Sequence, residues 1–226
     1  MSEKIKTISI KGVNSYLIKT VKGFILIDMG YYKAIDKLEK ALSELNGRLS
    51  DIFLIIITHS HVDHVGGVKK IKKLTNSDII AHENGKKYLL NGRSNFPAGT
   101  NLLGKFLSKM GNMFFPATFE SVTPNKTFGD IYNLSEYGVE GKVIHTPGHS
   151  SDSCSVIVNS THCFVGDTLF NLGLSSSNYP IFADDEDKLR ESIEKLYSTD
   201  CKYFYPGHGR MFKRETLQET VNKLKK

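Results

Sequence analysis

The sequence predicts an α+β fold in which two β-sheets pack together and carry helices on their outer faces. Strand-like segments occur in two groups, one in each half of the chain, and each group is accompanied by helical patterns. A sheet and an amphipathic helix each bury an apolar surface, so two such halves are expected to pack sheet against sheet. The length of 226 residues predicts a single domain over residues 1–226, with a helical insertion at about 83–120.

The first half begins with three short strands, predicted at residues 6–10, 15–19 and 23–27, which are rich in β-branched residues and separated by turn residues. A helix follows, with apolar residues at helical spacing over residues 35–45. Residues 51–58 then form a continuous apolar run, which is typical of a strand buried on both faces.

A loop, a helix at about residues 65–74 and a short strand at residues 77–81 complete the first half. In the insertion, residues 102–110 have apolar side chains at helical spacing. The second half returns to strand patterns and ends with helices. Its predicted strands cover residues 127–134, 139–145, 154–159, 162–165 and 203–205, and its predicted helices cover residues 186–197 and 215–224.

Composition favours a cytoplasmic globular protein without a membrane partner. No apolar run approaches the roughly 18–20 residues of a membrane-spanning helix, and the first residues lack the pattern of a signal peptide. The three cysteines form no Cys-x-x-Cys pair, which fits free thiols in a reducing compartment. The formal net charge is +6, but lysines such as those at residues 69–73 interleave with apolar positions as on a solvated helix face. Charge alone therefore does not favour nucleic acid as a partner.

The most informative segment runs from Thr58 to His64 and includes His59, His61 and Asp63. Imidazole and carboxylate are natural ligands of zinc and related cations. Residues two apart in an extended turn point the same way, so His59 and His61 are expected to share one ion. Asp63 and His64 lie where the chain enters a helix and can face a second ion. A loop whose histidines only cap a helix explains the run less well, because three histidines and an acid occur within six residues.

Three further candidate ligands, His149, Asp167 and His208, occur in parallel positions. Each lies just past a predicted strand and directly follows a glycine, which lets the backbone approach closely. This placement is expected at the carboxyl edges of two sheets. With the first four residues it gives seven ligands, enough for two ions that keep open positions for water and substrate.

Asp28 and the remaining histidines are not predicted to be ligands. Asp28 ends an apolar strand, where it could cap the next helix or hold the metal-binding loop by hydrogen bonds, and both interpretations stay open. His145 is expected to support the turn before His149. His82 and His162 have no companion residues at useful spacing, so we expect structural or surface roles for them.

The motifs His-x-His-x-Asp-His, Pro-Gly-His, Gly-Asp and Pro-Gly-His-Gly occur in this order. The order resembles that of the metallo-β-lactamase superfamily, and residues 14–18 and 26–30 are similar to the first strands of that family. The resemblance covers nearly the whole chain. It implies an αββα four-layer sandwich with metals at one edge.

The resemblance also implies the roles of the ligands and the cofactors. Two divalent metal ions are expected, with zinc as the first choice and iron or manganese as alternatives. The first ion would be bound by His59, His61 and His149, the second by Asp63, His64 and His208, and both by the bridging Asp167. A bridging hydroxide would be the nucleophile. The catalytic residues would be Asp63, which could take part in proton transfer, and Asp167.

Within the superfamily, residues 145–149 and 166–170 look like the glyoxalase II-like and lactonase branches. The expected reaction is therefore hydrolysis of a thioester, lactone or other ester. Acyl-homoserine lactonases carry a tyrosine where this chain has Phe170. Two alternatives remain, a phosphodiesterase or nuclease of the same superfamily and a di-iron redox protein.

The insertion at residues 83–120 interrupts two of the family motifs and is rich in apolar residues. These include Phe96, Leu102, Leu103, Phe106, Met110, Phe114 and Phe115. Three roles are open: a helix that packs on the sandwich, a lid or wall of the metal cleft, and a surface for a homodimer. A wall of the cleft would favour a small-molecule substrate with an apolar arm.

Overall fold

The fold is a four-layer sandwich of two six-stranded sheets with helices on both outer faces, as the sequence predicts. The computed structural model describes residues 4–114, 117–173 and 178–224. The first sheet has the order β1-β2-β3-β4-β5-β6, and the second has the order β12-β11-β10-β9-β8-β7. Each half of the chain therefore builds one sheet, except that the sixth strand of the first sheet follows the insertion.

The first sheet is mixed. Its strands are β1 (Ile5–Ile10), β2 (Val13–Lys19), β3 (Phe24–Ile27), β4 (Ile52–Ile56), β5 (Asp78–His82) and β6 (Lys126–Phe128). The first three pair antiparallel, and β3 to β6 pair parallel. All five residues of β4 are apolar and four of them are buried, because both faces of this central strand are covered.

The second sheet is antiparallel apart from one pair. Its strands are β7 (Ile131–Asn133), β8 (Gly141–His145), β9 (Cys154–Val158), β10 (His162–Gly166), β11 (Tyr203–Pro206) and β12 (Phe212–Lys213). Among the described strands of this sheet, only β10 and β11 pair parallel, and helix α6 (Glu186–Tyr197), which follows β10, makes this crossover.

The helices form the outer layers and the insertion. They are α1 (Ile35–Glu44), α2 (Val62–Val65), α3 (Val68–Thr75), α4 (Lys86–Asn91), α5 (Leu102–Phe114), α6 (Glu186–Tyr197) and α7 (Arg214–Leu224). In the described part of the chain, no helix combines the length and the apolarity that crossing a bilayer requires.

Three apolar cores separate the four layers. The first joins the outer face of the first sheet to α1 and α3, through residues such as Leu38 and Ile71. The second lies between the sheets, where Tyr16 contacts Phe164 with ring centroids 5.1 Å apart. The third joins the second sheet to α6 and α7. Because the sheets are clamped from both sides, their strand ends form a rigid edge on which a site can be built.

Two predicted elements are each divided in the structure. The helix expected at residues 65–74 is two helices, α2 and α3, separated at Gly66 and Gly67. The Gly67 N–H donates to the carbonyl of Met29 at 2.8 Å, and a Cβ at Gly67 would overlap the Met29 side chain. The close approach of two chain segments, rather than the apolar pattern, therefore ends the first helix.

The strand expected at residues 127–134 was wrong as a single element. Its first part is β6, which pairs with β5 in the first sheet, and its second part is β7, which pairs with β8 in the second sheet. The chain changes sheets at Gly129 and Asp130. An extended pattern on both sides of a bend reads as one strand, because alternation does not show which sheet a segment joins.

Candidate metal centre and active-site cleft

Four loops at one edge of the sandwich carry the seven predicted ligands. His59, His61, Asp63 and His64 follow β4, whereas His149, Asp167 and His208 follow β8, β10 and β11. The structure brings all seven together in three overlapping groups, in each of which the potential ligand atoms lie within 4.8 Å of one another. The groups are His59 with His61 and His149, His59 with His64 and Asp167, and Asp63 with His64 and His208.

The first group consists of three imidazoles. His61 Nδ1 and His149 Nε2 lie 3.0 Å apart, and the rings of His59 and His61 stand edge to face with centroids 4.6 Å apart. All three side chains are buried or nearly so. The donor set of His59, His61 and His149 is the one expected for the first ion.

The group on the other side of the centre consists of Asp63, His64 and His208. His208 Nε2 lies 3.3 Å from Asp63 Oδ2, and His64 Nε2 lies 3.9 Å from the same oxygen. Asp63 and His208 keep about a quarter of their side-chain surface exposed, whereas His64 is fully buried. This group therefore forms the more open side of the centre.

Asp167 lies between the two groups and reaches both. Its Oδ2 is 3.5 Å from His149 Nε2 and 3.3 Å from His208 Nε2, and its Oδ1 is 3.3 Å from His64 Nε2. Gly207, the residue before His208, has no space around it for a side chain. A Cβ at Gly207 would overlap both the Asp167 carboxylate and the His64 ring.

The centre fits cations because it contains buried polar atoms without a hydrogen-bond partner. Among the described residues these include His59 Nε2, His64 Nε2 and Asp167 Oδ1. Leaving such atoms unpaired costs about 1–3 kcal/mol each. A zinc–nitrogen distance of about 2.05 Å in tetrahedral geometry puts ligand atoms about 3.3 Å apart. Several of the separations given above match that value, so the three orphaned atoms are suited to binding metal.

Hydrogen bonds behind the centre aim the imidazoles. His64 Nδ1 contacts Asp28 Oδ2 at 2.8 Å, His149 Nδ1 contacts the carbonyl of Phe182 at 3.0 Å, and His208 Nδ1 contacts the carbonyl of Gly12 at 3.1 Å. Each acceptor requires the proton on Nδ1. The lone pair is therefore left on Nε2, the atom that faces the centre.

Asp28 organises two of the ligands. Its carboxylate accepts hydrogen bonds from the Thr58 amide at 2.8 Å, the Thr58 hydroxyl at 2.7 Å and His64 Nδ1. The Thr58 oxygen in turn lies 3.1 Å from His59 Nδ1. Of the two interpretations left open by the sequence, the contacts favour the one in which Asp28 holds the metal-binding loop. Asp28 has a φ of 56°, a strained conformation for a residue other than glycine.

The carboxylates make the centre electronegative. Burial opposes protonation of His64, but Asp167, Asp28 and Asp63 together raise its pKa well above the usual value. Burial likewise opposes protonation of His208, and Asp167 and Asp63 raise its pKa to about 10. At the imidazole-rich end, burial lowers the pKa of His61 to about 3. The field thus favours positive charge between Asp63 and Asp167, which is where a second cation would bind.

The other predicted structural histidines lie away from the centre. His82 and His145 stack on each other with ring centroids 3.7 Å apart, and His145 Nε2 contacts the carbonyl of Ser151 at 3.1 Å. His162 Nδ1 contacts the Tyr205 hydroxyl at 2.9 Å. None of the three belongs to a group of potential metal ligands among the described residues.

A cleft of ≈ 480 Å³ opens over the centre. Its floor includes His61, Asp63, His149, Asp167 and His208. Its walls are mostly apolar and come from the start of the insertion and from the loop after β10. They include Phe96, Pro97, Ala117, Phe170, Leu172, Ile181 and Phe182.

The polar residues of the walls are few and uncharged. Ser94, Asn95 and Tyr31 line the cleft, and Ser94 Oγ is buried without a hydrogen-bond partner in the part of the chain that the structure describes. Sequence reasoning did not identify Ser94 and Asn95, because neither belongs to a motif. Asn178 is buried and donates to the carbonyl of Phe170 at 2.8 Å, so it supports the wall of the cleft.

The insertion contributes to the cleft through Phe96 and Pro97 rather than through its main helix. The apolar side chains of α5 point outward, with Leu102 88% exposed and Phe106 61% exposed. The helix contacts the rest of the protein through Gly104 and Gly111 instead, and the three roles predicted for the insertion stay open. Phe115 lies outside the described residues.

Comparison with known proteins agrees with the motifs and the fold. The model of the metallo-β-lactamase superfamily matches residues 9–208. A probable metallo-hydrolase of Methanocaldococcus jannaschii is 33% identical over 87% of this chain and 87% of its own length. An atrochrysone carboxyl ACP thioesterase of Aspergillus fumigatus is 25% identical over 94% of this chain.

The similarity to solved structures shows the fold. A metallo-β-lactamase from Cronobacter sakazakii has a TM-score of 0.71 and 20% identity, covering 98% of this chain and 90% of its own. The present chain spans 55% of the length of the thioesterase and 63% of a β-lactamase-like protein from Drosophila melanogaster. By the extent of the family match, supported by the archaeal relative, this chain belongs to the metallo-β-lactamase superfamily.

Proposed function

We propose that the chain is a dinuclear metal hydrolase that cleaves a thioester, lactone or other ester with an uncharged apolar arm. One observation carries the proposal: seven potential ligands, with three orphaned polar atoms among them, converge at a cleft that five of them line and whose walls are mainly apolar. The thioesterase among the relatives supports the choice of an acyl substrate. The glyoxalase II-like or lactonase-like branch is part of this proposal.

The ligand roles proposed for the centre follow the contacts. His59, His61 and His149 would hold one divalent ion, Asp63, His64 and His208 would hold the other, and Asp167 would contact both. Zinc suits the nitrogen-rich donor set, and iron or manganese are the alternatives. When bound, two such ions lower the pKa of water and polarise the scissile carbonyl.

The protein side chains supply orientation and proton handling. Asp63 is part-exposed at the floor of the cleft, so its carboxylate can accept a proton from the attacking water and pass it to the leaving group. Ser94 Oγ has no hydrogen-bond partner among the described residues and can donate to a polar atom of the substrate. The apolar walls exclude bulk water around the reacting carbonyl.

The lining of the cleft supports esters over phosphodiesters. Among the described residues that line it, none is Lys or Arg, so beyond the metal centre no basic side chain pairs with a phosphate backbone or a substrate carboxylate. An uncharged acyl or alkyl arm matches the walls without leaving a charge unpaired.

The free buried thiols of Cys154, Cys163 and Cys201 support the proposal of a cytoplasmic location.

The test is a panel of uncharged thioesters, lactones and esters, assayed with metal-replete protein and with chelator-treated protein. We expect hydrolysis by the replete protein only, with kcat/KM rising as the acyl arm lengthens. Anionic phosphodiesters should be poor substrates. Efficient phosphodiester cleavage without ester cleavage would contradict the proposal.

Phe96→Ala is predicted to lower kcat/KM by about tenfold for an ester with a long acyl arm. For the corresponding acetyl ester, which has no such arm, kcat/KM should stay nearly unchanged. The reason is that Phe96 forms part of the apolar wall and not of the metal floor. Leu74→Ala is the matched control, because Leu74 is 52% exposed and does not line the cleft. Equal losses for both esters in Phe96→Ala would mean that the wall does not bind the arm.

A further inference from the structure

An ordinary surface helix turns its large apolar side chains toward the protein, whereas helix α5 turns six of them toward the outside. The residues on its protein-facing side are small: Gly104 and Gly111 are buried, and Ser108 is 9% exposed. Its large apolar residues face outward. Their exposed fractions are Leu102 88%, Leu103 61%, Phe106 61%, Leu107 38%, Met110 37% and Met113 63%.

Close backbone contacts fix this orientation. A Cβ at Gly104 would overlap the carbonyl of Ile181, and a Cβ at Gly111 would overlap the Phe96 ring. Asn112 Oδ1 accepts from the Phe96 amide at 3.3 Å. Rotating the helix to bury its leucines would require larger side chains to occupy the positions of these glycines. The outward direction of the apolar face is therefore built into the sequence.

The apolar face lies in a strongly cationic segment. Residues 84–119 contain five Lys and Arg residues and no Asp or Glu, against a net charge of +6 for the whole chain. All five cations are exposed, and no salt bridge joins any of them to a carboxylate in the described part of the chain. They are Lys86, Lys87, Arg93, Lys105 and Lys109.

We propose that the exposed face of α5 docks on an anionic lipid surface, with its leucines, phenylalanine and methionines in the boundary between headgroups and acyl chains. A helix of 13 residues is about 20 Å long and can lie in this boundary. Lysines beside such a face add attraction to anionic headgroups. No membrane partner was expected from the sequence, because no apolar run is long enough to span a bilayer. Docking at the surface of a bilayer does not require such a run.

Charge argues against a second copy of the chain as the occupant. A two-fold interface places the same surface against itself, so Lys105 and Lys109 of one copy would lie near the same lysines of the other. The shape of the face also favours lipid. Leu102 is 88% exposed and Met113 is 63% exposed, and side chains of this kind enter a fluid boundary without needing preformed pockets.

The position of α5 connects this surface to the cleft. Phe96 and Ile181, whose atoms contact α5, also line the cleft. A docked helix therefore places the apolar walls next to the lipid, from which a substrate with an apolar arm could enter. The docking inference goes beyond the proposed function and does not depend on it, because its test measures binding alone.

The first test is cosedimentation of the full chain with vesicles made of equal parts phosphatidylglycerol and phosphatidylcholine. We expect binding that weakens with salt and falls strongly on pure phosphatidylcholine. The variant Leu102→Ser/Leu103→Ser/Phe106→Ser should lower the partition coefficient by at least about tenfold. The control Val21→Ser/Leu74→Ser/Ile131→Ser removes residues that are 83%, 52% and 55% exposed elsewhere, and it should bind like the wild type.

A second measurement uses the absence of tryptophan from the chain. Phe106→Trp should show a blue shift of emission with the anionic vesicles and quenching by brominated lipid, whereas Val21→Trp should show neither. Circular dichroism checks that each variant is folded. Absence of vesicle binding by the wild type, or equal binding by both triple variants, would overturn the proposal. So would a wild-type dimer without vesicle binding that the α5 variant converts to monomer.

Discussion

Asp167→Asn is expected to abolish hydrolysis, with kcat/KM falling by at least about a thousandfold, and to remove metal from the purified protein. Asp167 is the residue whose two oxygens face both ligand groups, at 3.3 Å from His64 and His208 and 3.5 Å from His149. The amide carries no charge and turns an NH₂ group toward imidazole nitrogens. Both effects disfavour cations in the middle of the centre.

The measurement combines metal analysis of the dialysed protein with ester hydrolysis. Asp130→Asn is the matched control, because Asp130 is 75% exposed in a surface ion pair with Lys195 and lies outside the ligand groups. It should keep full metal content and activity. If Asp167→Asn retained both ions and most of its activity, the bridging role would be contradicted.

Asp28→Asn is expected to weaken metal binding by about 10- to 100-fold while leaving all seven ligands in place. Asp28 accepts three hydrogen bonds through two oxygens, and asparagine offers a single acceptor oxygen. His64 and Thr58 would lose the acceptor that aims them. Thr58→Val removes the hydroxyl that contacts both Asp28 and His59 but keeps the bonds of the Thr58 amide and of His64 to the carboxylate, so it should have a smaller effect.

A chromophoric chelator in competition with the protein gives the metal affinity of each variant, and denaturant unfolding gives its stability. A positioning role predicts that metal affinity falls and that added metal restores hydrolysis in Asp28→Asn. If the free energy of unfolding fell while metal affinity stayed at the wild-type value, Asp28 would have only a structural role.

The sequence was most informative where chemistry and strand ends coincide. Each of His149, Asp167 and His208 follows a strand and a glycine, so their convergence at one edge could be inferred from local patterns. Helix α6 was predicted with the observed bounds, and in the structure the Asp185 side chain caps its first turn by accepting from the Lys188 amide. The layer order followed from the family resemblance.

Long-range contacts explain what could not be predicted. The division of residues 127–134 between two sheets depends on which strands flank them, and the break between α2 and α3 depends on Met29, which is distant in sequence. The apolar positions of α5 were recognised, but their direction was not. Helical spacing shows that a helix has an apolar face, whereas the choice of the face that is buried is made by Gly104 and Gly111.

The most direct test of the dinuclear centre is the number of metal ions per folded chain, measured by elemental analysis after purification without chelator and after reloading with zinc. The account predicts about two ions per chain in the wild type and a loss in His61→Ala and His208→Ala, one from each ligand group. A reloaded wild-type protein that binds no metal, or that binds a single ion unaffected by either substitution, would contradict it.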